Sequence, residues 1–204
     1  MKFKRGMMSS YELMLSRRSI RQFKSDPVSR EILEKLVNSA RLAPSGANLQ
    51  PLEFVVIDDE KIRRKLFSCL RWAAYIAPEG NPKPGCEPTA YVVILVNVDI
   101  RKSGFERDVG AAVENMILTA WEDLVGSCWI ANADINRIQK MLKIPGNYKV
   151  DSVLALGYPD EEPVTEEMKD SVKYWKDSKG RLHVPKRRLD DVLHFNGFVK
   201  KGVG

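Results

Sequence analysis

Arg107-Asp108-Val109-Gly110-Ala111-Ala112-Val113-Glu114-Asn115-Met116-Ile117-Leu118-Thr119-Ala120-Trp121-Glu122-Asp123-Leu124-Val125 is the stretch on which the reading of the fold turns. Val109, Ala112, Val113, Met116, Ile117, Ala120, Trp121 and Leu124 recur at spacings of three and four, the period of one helix face. Ala111, Leu118 and Val125 widen the apolar area well beyond a single stripe. A helix apolar over most of its circumference is buried on several sides. The segment is therefore expected at the centre of the molecule, or shared with a second subunit.

Outward from this helix, strands and helices alternate irregularly. On the C-terminal side Gly126–Ile130 reads as a short strand entry with Trp129 in the core, and Asp134–Leu142 as a helix. Ser152–Tyr158 reads as a strand closed by Gly157 and Pro159. Residues 163–185 are polar and weakly patterned, and an arm 186–204 ends the chain with a short amphipathic stretch from Leu189. On the N-terminal side Ala90–Val98 is a strand. Residues 77–88, with Pro78, Pro82, Pro84, Pro88, Gly80 and Gly85, form a long irregular loop, a kind that is often functional. Asp58-Asp59 opens a helix through Leu70, and Glu53–Ile57 is a β-branched strand. Ser29 caps a helix whose apolar residues Ile32, Leu33, Leu36, Val37 and Ala40 repeat at helical spacing. That helix stops near Ala43, because Pro44 disfavours α conformation in the residue before it. Ser10–Leu15 is a further short helix. The order lacks a regular βαβ alternation, which predicts an α+β fold with one sheet and helices packed on it. With 204 residues, 44% of them hydrophobic, the chain can bury one substantial core, and a single domain 1–204 is expected.

Composition narrows the function classes. No run of 18 apolar residues is present, so no membrane helix is expected. Met1–Gly6 carries the positive charge of a signal peptide, but Ser9, Ser10, Glu12 and Arg17 interrupt the apolar region that must follow, so a cytoplasmic protein is expected. Cys69, Cys86 and Cys128 form neither a disulfide framework nor metal-type pairs, and no metal site is expected. Cys128 reads as a small buried hydrophobe. The net charge of +6 is scattered through short clusters with acidic residues between them. A basic nucleic-acid-binding dimer is one reading of that charge, but no recognition motif accompanies it and no nucleic-acid partner is expected.

Four short clusters hold residues suited to chemistry. Arg17-Arg18-Ser19-Ile20-Arg21 places three guanidiniums and a hydroxyl within five residues, donors that can surround a phosphate. Arginines at a helix C-terminus also suit the helix dipole, so the cluster alone leaves both readings open. Pro44-Ser45-Gly46-Ala47-Asn48-Leu49-Gln50-Pro51 combines a glycine for close approach with amides that both donate and accept, as the edge of a flat heterocycle requires; it also has the composition of an ordinary turn. Gly126 and Ser127 can offer backbone N–H groups. Lys186-Arg187-Arg188 can complete a phosphate site or form a solvated face.

Taken in order, Ser16–Phe23, Ala43–Pro51, Glu114-Asn115-Met116 leading into Gly126–Ile130, Ile144-Pro145-Gly146, Leu156-Gly157-Tyr158-Pro159 and Lys186-Arg187-Arg188 before Leu189-Asp190-Asp191 resemble the nitroreductase family. The resemblance runs from Ser10 to Asn196. It implies a mixed or antiparallel sheet flanked by helices, in an intertwined homodimer with two FMN sites built from both subunits. By position it implies that Arg17, Arg18, Ser19 and Arg21 contact the phosphate and ribityl end, assisted by Lys186 and by Arg187 or Arg188. Pro44, Ser45, Gly46 and Asn48 would line the flavin from the other subunit with Gln50 close by, and Gly126 and Ser127 would present backbone donors near the ring. The implied activity is a ping-pong transfer from NADH or NADPH to a small oxidised acceptor: a nitroaromatic, a quinone, free flavin, or a halogenated molecule. No side chain is implied as catalytic, since the cofactor carries the chemistry and the protein orients and tunes it. A non-catalytic protein for FMN storage or redox sensing is the alternative. Leu52 stands where many members have Trp. Residues 77–88 and 163–185 are individual and are expected to shape the substrate pocket, with Tyr174 and Trp175 either stacking on an aromatic acceptor or packing internally.

Overall fold

The structure is a computed structural model that describes residues 8–199. The basic start of the signal-peptide reading and the last five residues of the expected arm lie outside them. Four strands, β1 (Leu52–Ile57), β2 (Ala90–Asn97), β3 (Gly126–Ile130) and β4 (Tyr148–Gly157), form one sheet in the order β1-β2-β4-β3. Every neighbouring pair is antiparallel. The fold is α+β.

β2 is apolar from Ala90 to Val96 because both of its faces are covered. Ala90, Val92, Ile94 and Val96 face α2 (Arg30–Arg41) and α4 (Glu106–Glu122), where Leu33, Leu36, Val113 and Met116 complete a buried layer. Tyr91, Val93 and Leu95 face the opposite way, toward Leu66 of α3 (Glu60–Phe67) and Ile138 of α5 (Ile135–Met141). Alternation of side chains along a strand produces this two-sided core. Ser29 Oγ accepts the Ile32 N–H at the start of α2, and Asp59 and Asp134 do the same for α3 and α5. Each such cap satisfies a backbone donor that the helix itself leaves unpaired. The seven-residue α1 (Ser10–Ser16) lies against α4, where Trp121 Nε1 donates to Ser16 Oγ at 2.9 Å.

Several expectations need correction. The central helix ends at Glu122, because Leu124 takes a left-handed backbone (φ 62°) and Val125 turns directly into β3. α3 stops at Phe67 and not Leu70. Residues 163–185 are not merely irregular: β5 (Val164–Glu167), β6 (Trp175–Lys176) and β7 (Leu182–Lys186) form a second sheet, with β5 parallel and β6 antiparallel to β7. The tail stretch from Leu189 is the one-turn α6 (Leu189–Val192). Trp129 is not in the core. It stands on the edge strand, 42% exposed, with its Nε1 donating to Ser152 Oγ at 2.7 Å. Burial of α4 on several sides is incomplete in one chain: Gly110, Ala111, Glu114 and Leu118 are half-buried, and a Cβ built on Gly110 meets nothing within 4 Å.

Candidate functional site

The arginine cluster leaves α1 in extended form and runs along the free edge of β3. Ile20 N–H donates to Ser127 O at 2.8 Å, and Ser19 pairs with Ser127 as a parallel bridge. Ile20 is fully buried beneath this edge, so the flanking Arg17, Arg18, Ser19 and Arg21 are turned toward the surface and remain half-buried. Gly126 is required by the same contact: a Cβ there would stand 2.7 Å from Ile20 Cγ1. Ser127 is buried.

Around the cluster lies a cleft of about 510 Å³. Arg17, Arg18, Ser19 and Arg21 form one wall, and Lys186, Arg187 and Arg188 at the end of β7 form another, from the far end of the sequence. Thr165 and Tyr174 of the segment 163–185 close it. Arg18 is held by Leu15 O (2.7 Å), Arg17 O (2.6 Å) and Thr165 Oγ1 (3.0 Å). Its pKa lies below the usual arginine value, first through burial and then through repulsion from Arg17. Arg17 Nε and Arg21 Nε are buried without a hydrogen-bond partner. Arg17 approaches Glu114 only to 3.9 Å. Arg187 and Arg188 are exposed and turn partly to Asp191. Glu161 accepts the backbone N–H groups of Arg21 and Gln22, which fixes the turn that aims Arg21.

A second cleft of about 730 Å³ shares Arg21 with the first. Its walls include Arg71, Trp72, Trp129, Ala131 and Asn132. Trp72 Nε1 is a further buried donor without a partner. Sequence reasoning missed Arg71, Trp72 and Asn132. The signal available was an arginine beside a tryptophan, Arg71-Trp72, a few residues before the proline-rich loop. Tyr174, in the wall of the first cleft, packs at a tilt on Tyr75 with ring centroids 5.0 Å apart and lies beneath the Arg21 guanidinium at 5.3 Å. Trp175 stacks on His183 at 4.2 Å. Cys128 is buried, which pushes its thiol pKa up.

The Pro44–Gln50 loop is not brought to either cleft of the same chain. Gly46–Asn48 forms a 3-10 turn in which Gln50 N–H donates to Ser45 Oγ at 3.0 Å. Pro44, Gly46, Asn48 and Gln50 are exposed. Gly126 and Ser127 line neither cleft.

The α+β fold thus carries a cleft lined by arginines and a lysine together with Glu166 and Glu167, beside a larger cleft with Trp72 and Trp129 in its walls. The chain belongs to the nitroreductase family, whose family model matches residues 14–158. A protein of Archaeoglobus fulgidus, named provisionally an NADH dehydrogenase/NAD(P)H nitroreductase, is 31% identical over 160 residues, 74% of this chain and 86% of that relative. An iodotyrosine deiodinase of Haliscomenobacter hydrossis is 26% identical over 176 residues, 74% of this chain and 79% of the relative. Among solved structures, an FMN-dependent nitroreductase of Clostridium difficile R20291 superposes with a TM-score of 0.67 at 27% identity, covering 91% of this chain and 98% of that one. No helix among the described residues is long and apolar enough to cross a membrane.

Proposed function

We propose that the protein is a cytoplasmic, single-domain, FMN-dependent oxidoreductase that passes electrons from NADH or NADPH to a small oxidised acceptor in a ping-pong cycle. The observation that carries the reading is the pair of buried donors, Arg17 Nε and Arg21 Nε, left without hydrogen-bond partners in a cleft where six basic residues from residues 17–21 and 186–188 outnumber Glu166 and Glu167. A buried donor without an acceptor costs about 1–3 kcal/mol, which a bound phosphate and ring oxygen would recover. A phosphate monoester carries about −1.5 to −2 charges near neutral pH and suits two or three cations.

When bound, FMN supplies the redox chemistry. Arg17, Arg18 and Ser19 would hold its phosphate, with Lys186, Arg187 and Arg188 assisting from the other wall. Arg21 lines both clefts and would serve a ligand held across them. Its fixed positive charge favours any negative charge that develops there. Arg71, Trp72 and Asn132 flank the ring end in this reading. The exposed Pro44, Gly46, Asn48 and Gln50 of one copy, with the half-buried Ser45, serve the cleft of a second copy, in a homodimer. The half-exposed face of α4 and the exposed Leu189, Val192, Phe195 and Phe198 of the arm supply the apolar surface for that association.

Initial rates with varied nicotinamide and varied acceptor test the cycle, using a panel of nitroaromatic, quinone, flavin and halogenated aromatic acceptors. Parallel double-reciprocal lines with at least one acceptor are expected. Bound FMN with no acceptor turned over would favour storage or sensing.

A further inference from the structure

Asp108 is buried in the first turn of α4 and lines neither cleft. Both of its carboxylate oxygens are used. Oδ1 accepts the Gly46 N–H at 3.0 Å, and Oδ2 accepts Arg101 Nη1 at 3.0 Å. A buried carboxylate is tolerated when it is paired and hydrogen-bonded. Here the partners come from two separate loops, so the carboxylate ties both to the start of α4. The packing is close: a Cβ on Gly46 would stand 2.3 Å from Arg101 Nη1, and the guanidinium would have to leave Asp108 to admit it.

The turn held in this way is strained. Ala47, Asn48 and Gln50 all have left-handed backbones, with φ of 52°, 54° and 50°. Such a backbone is disfavoured for residues other than glycine and persists only where its surroundings over-determine it. Asn48 N–H to Ser45 O and Gln50 N–H to Ser45 Oγ close the turn on itself. The bond from Gly46 to Asp108 ties it to the helix behind. An acidic residue in the first turn of a helix also suits the helix dipole, but that role calls for no bond to Gly46.

We propose that Asp108, with Arg101, is a positioning pair that fixes the Pro44–Gln50 turn in the conformation that presents Asn48 and Gln50 to flavin held in the cleft of a second copy. The inference rests on the flavin reading above. Pre-setting the turn removes the ordering cost that a free loop would meet on binding.

Two readouts test it: amide hydrogen exchange of Ser45–Gln50 in the FMN-free protein, and the FMN dissociation constant from flavin fluorescence. Asp108→Ala is expected to speed exchange in the turn tenfold or more and to weaken FMN binding tenfold or more. Asp108→Asn keeps an oxygen for the Gly46 N–H but sets an amide NH2 against Arg101 in place of the second carboxylate oxygen, so it is expected to restore both readouts in part. Should Asp108→Ala not fold, Arg101→Ala carries the same test without touching α4 or the turn itself. Turn exchange equal to wild type, or an Asp108→Asn variant that rescues neither readout, overturns the positioning role. A wild-type chain that takes up no FMN overturns the flavin reading and the turn's use with it; the exchange arm, which needs no FMN, separates that failure from a failure of the anchor.

Discussion

Arg17 and Arg18 carry the largest share of the proposed phosphate site, and they differ in how they are prepared for it. Arg18 is already held by two carbonyls and Thr165, whereas Arg17 Nε has no hydrogen-bond partner and only a long ion pair with Glu114. Charge-assisted hydrogen bonds are worth about 1.5–3 kcal/mol each, so Arg17→Ala/Arg18→Ala should weaken FMN about 100-fold or more while leaving a folded protein. Equilibrium dialysis with circular dichroism checks both halves; full FMN occupancy in the double variant would remove the assignment. Gly126 is different in kind. Its substitution by Ala forces contact with Ile20 Cγ1 at 2.7 Å and Pro159 Cγ at 3.0 Å, and such overpacking typically costs about 1–3 kcal/mol. A lowered midpoint of thermal unfolding is expected. The arginines were legible because their chemistry is local and dense in sequence. The anchor role of Asp108 was not, because its meaning comes from Gly46 and Arg101, which only the folded chain brings to it.

At the scale of elements, the small sheet β5-β7-β6 is the part the sequence concealed. Its strands are short, and polar residues interrupt the alternation on which strand reading depends. Side chains hold it together. His183 Nδ1 lies 3.0 Å from Glu166 and Nε2 lies 3.3 Å from Asp177, and Trp175 stacks on the ring while donating to Glu166 at 2.8 Å. The hydrogen bond with Glu166 is the main cause that raises the His183 pKa above its ordinary 6.5, with burial opposing and Asp177 adding. Stabilisation from protonated His183 is therefore complete below pH 6.5 and lost as pH rises through the raised value. Glu166 and Asp177 are held below their ordinary 4.5 and 3.8, chiefly by hydrogen bonds from Trp175 and from the Arg181 backbone. Their contribution is present above those values and lost as pH falls through the lowered ones. The sheet is thus tightest between about pH 4.5 and 6.5. Proton NMR should show His183 titrating above 6.5, and His183→Gln should remove the accompanying change in Trp175 fluorescence. A His183 titration at or below 6.5 contradicts this. By contrast β2 was read to within a residue, since a strand buried on both faces is a continuous apolar run.

For the molecule as a whole, the described chain leaves two things unfinished. α4 keeps a half-exposed face, and Phe195 and Phe198 of the arm are 78% and 82% exposed. The strained Pro44–Gln50 turn also faces no cleft of its own chain. The second copy proposed above would cover both, so sedimentation should give twice the chain mass, and removal of residues 189–204 should lower both dimer affinity and FMN retention. A monomeric wild-type protein that still binds FMN tightly would contradict the shared site. That α4 lies at the centre of the fold was legible from its apolar spacing, whereas the exposed edge position of Trp129 depends on strand order, which no local pattern encodes.

The central claim is that the basic cleft holds FMN which a nicotinamide can reduce. The most direct test is the absorbance spectrum of the purified protein before and after anaerobic addition of NADH or NADPH. Visible flavin bands that bleach with either nicotinamide are the predicted result. A protein that is colourless and takes up no added FMN, or whose flavin bands persist with both nicotinamides, would contradict it.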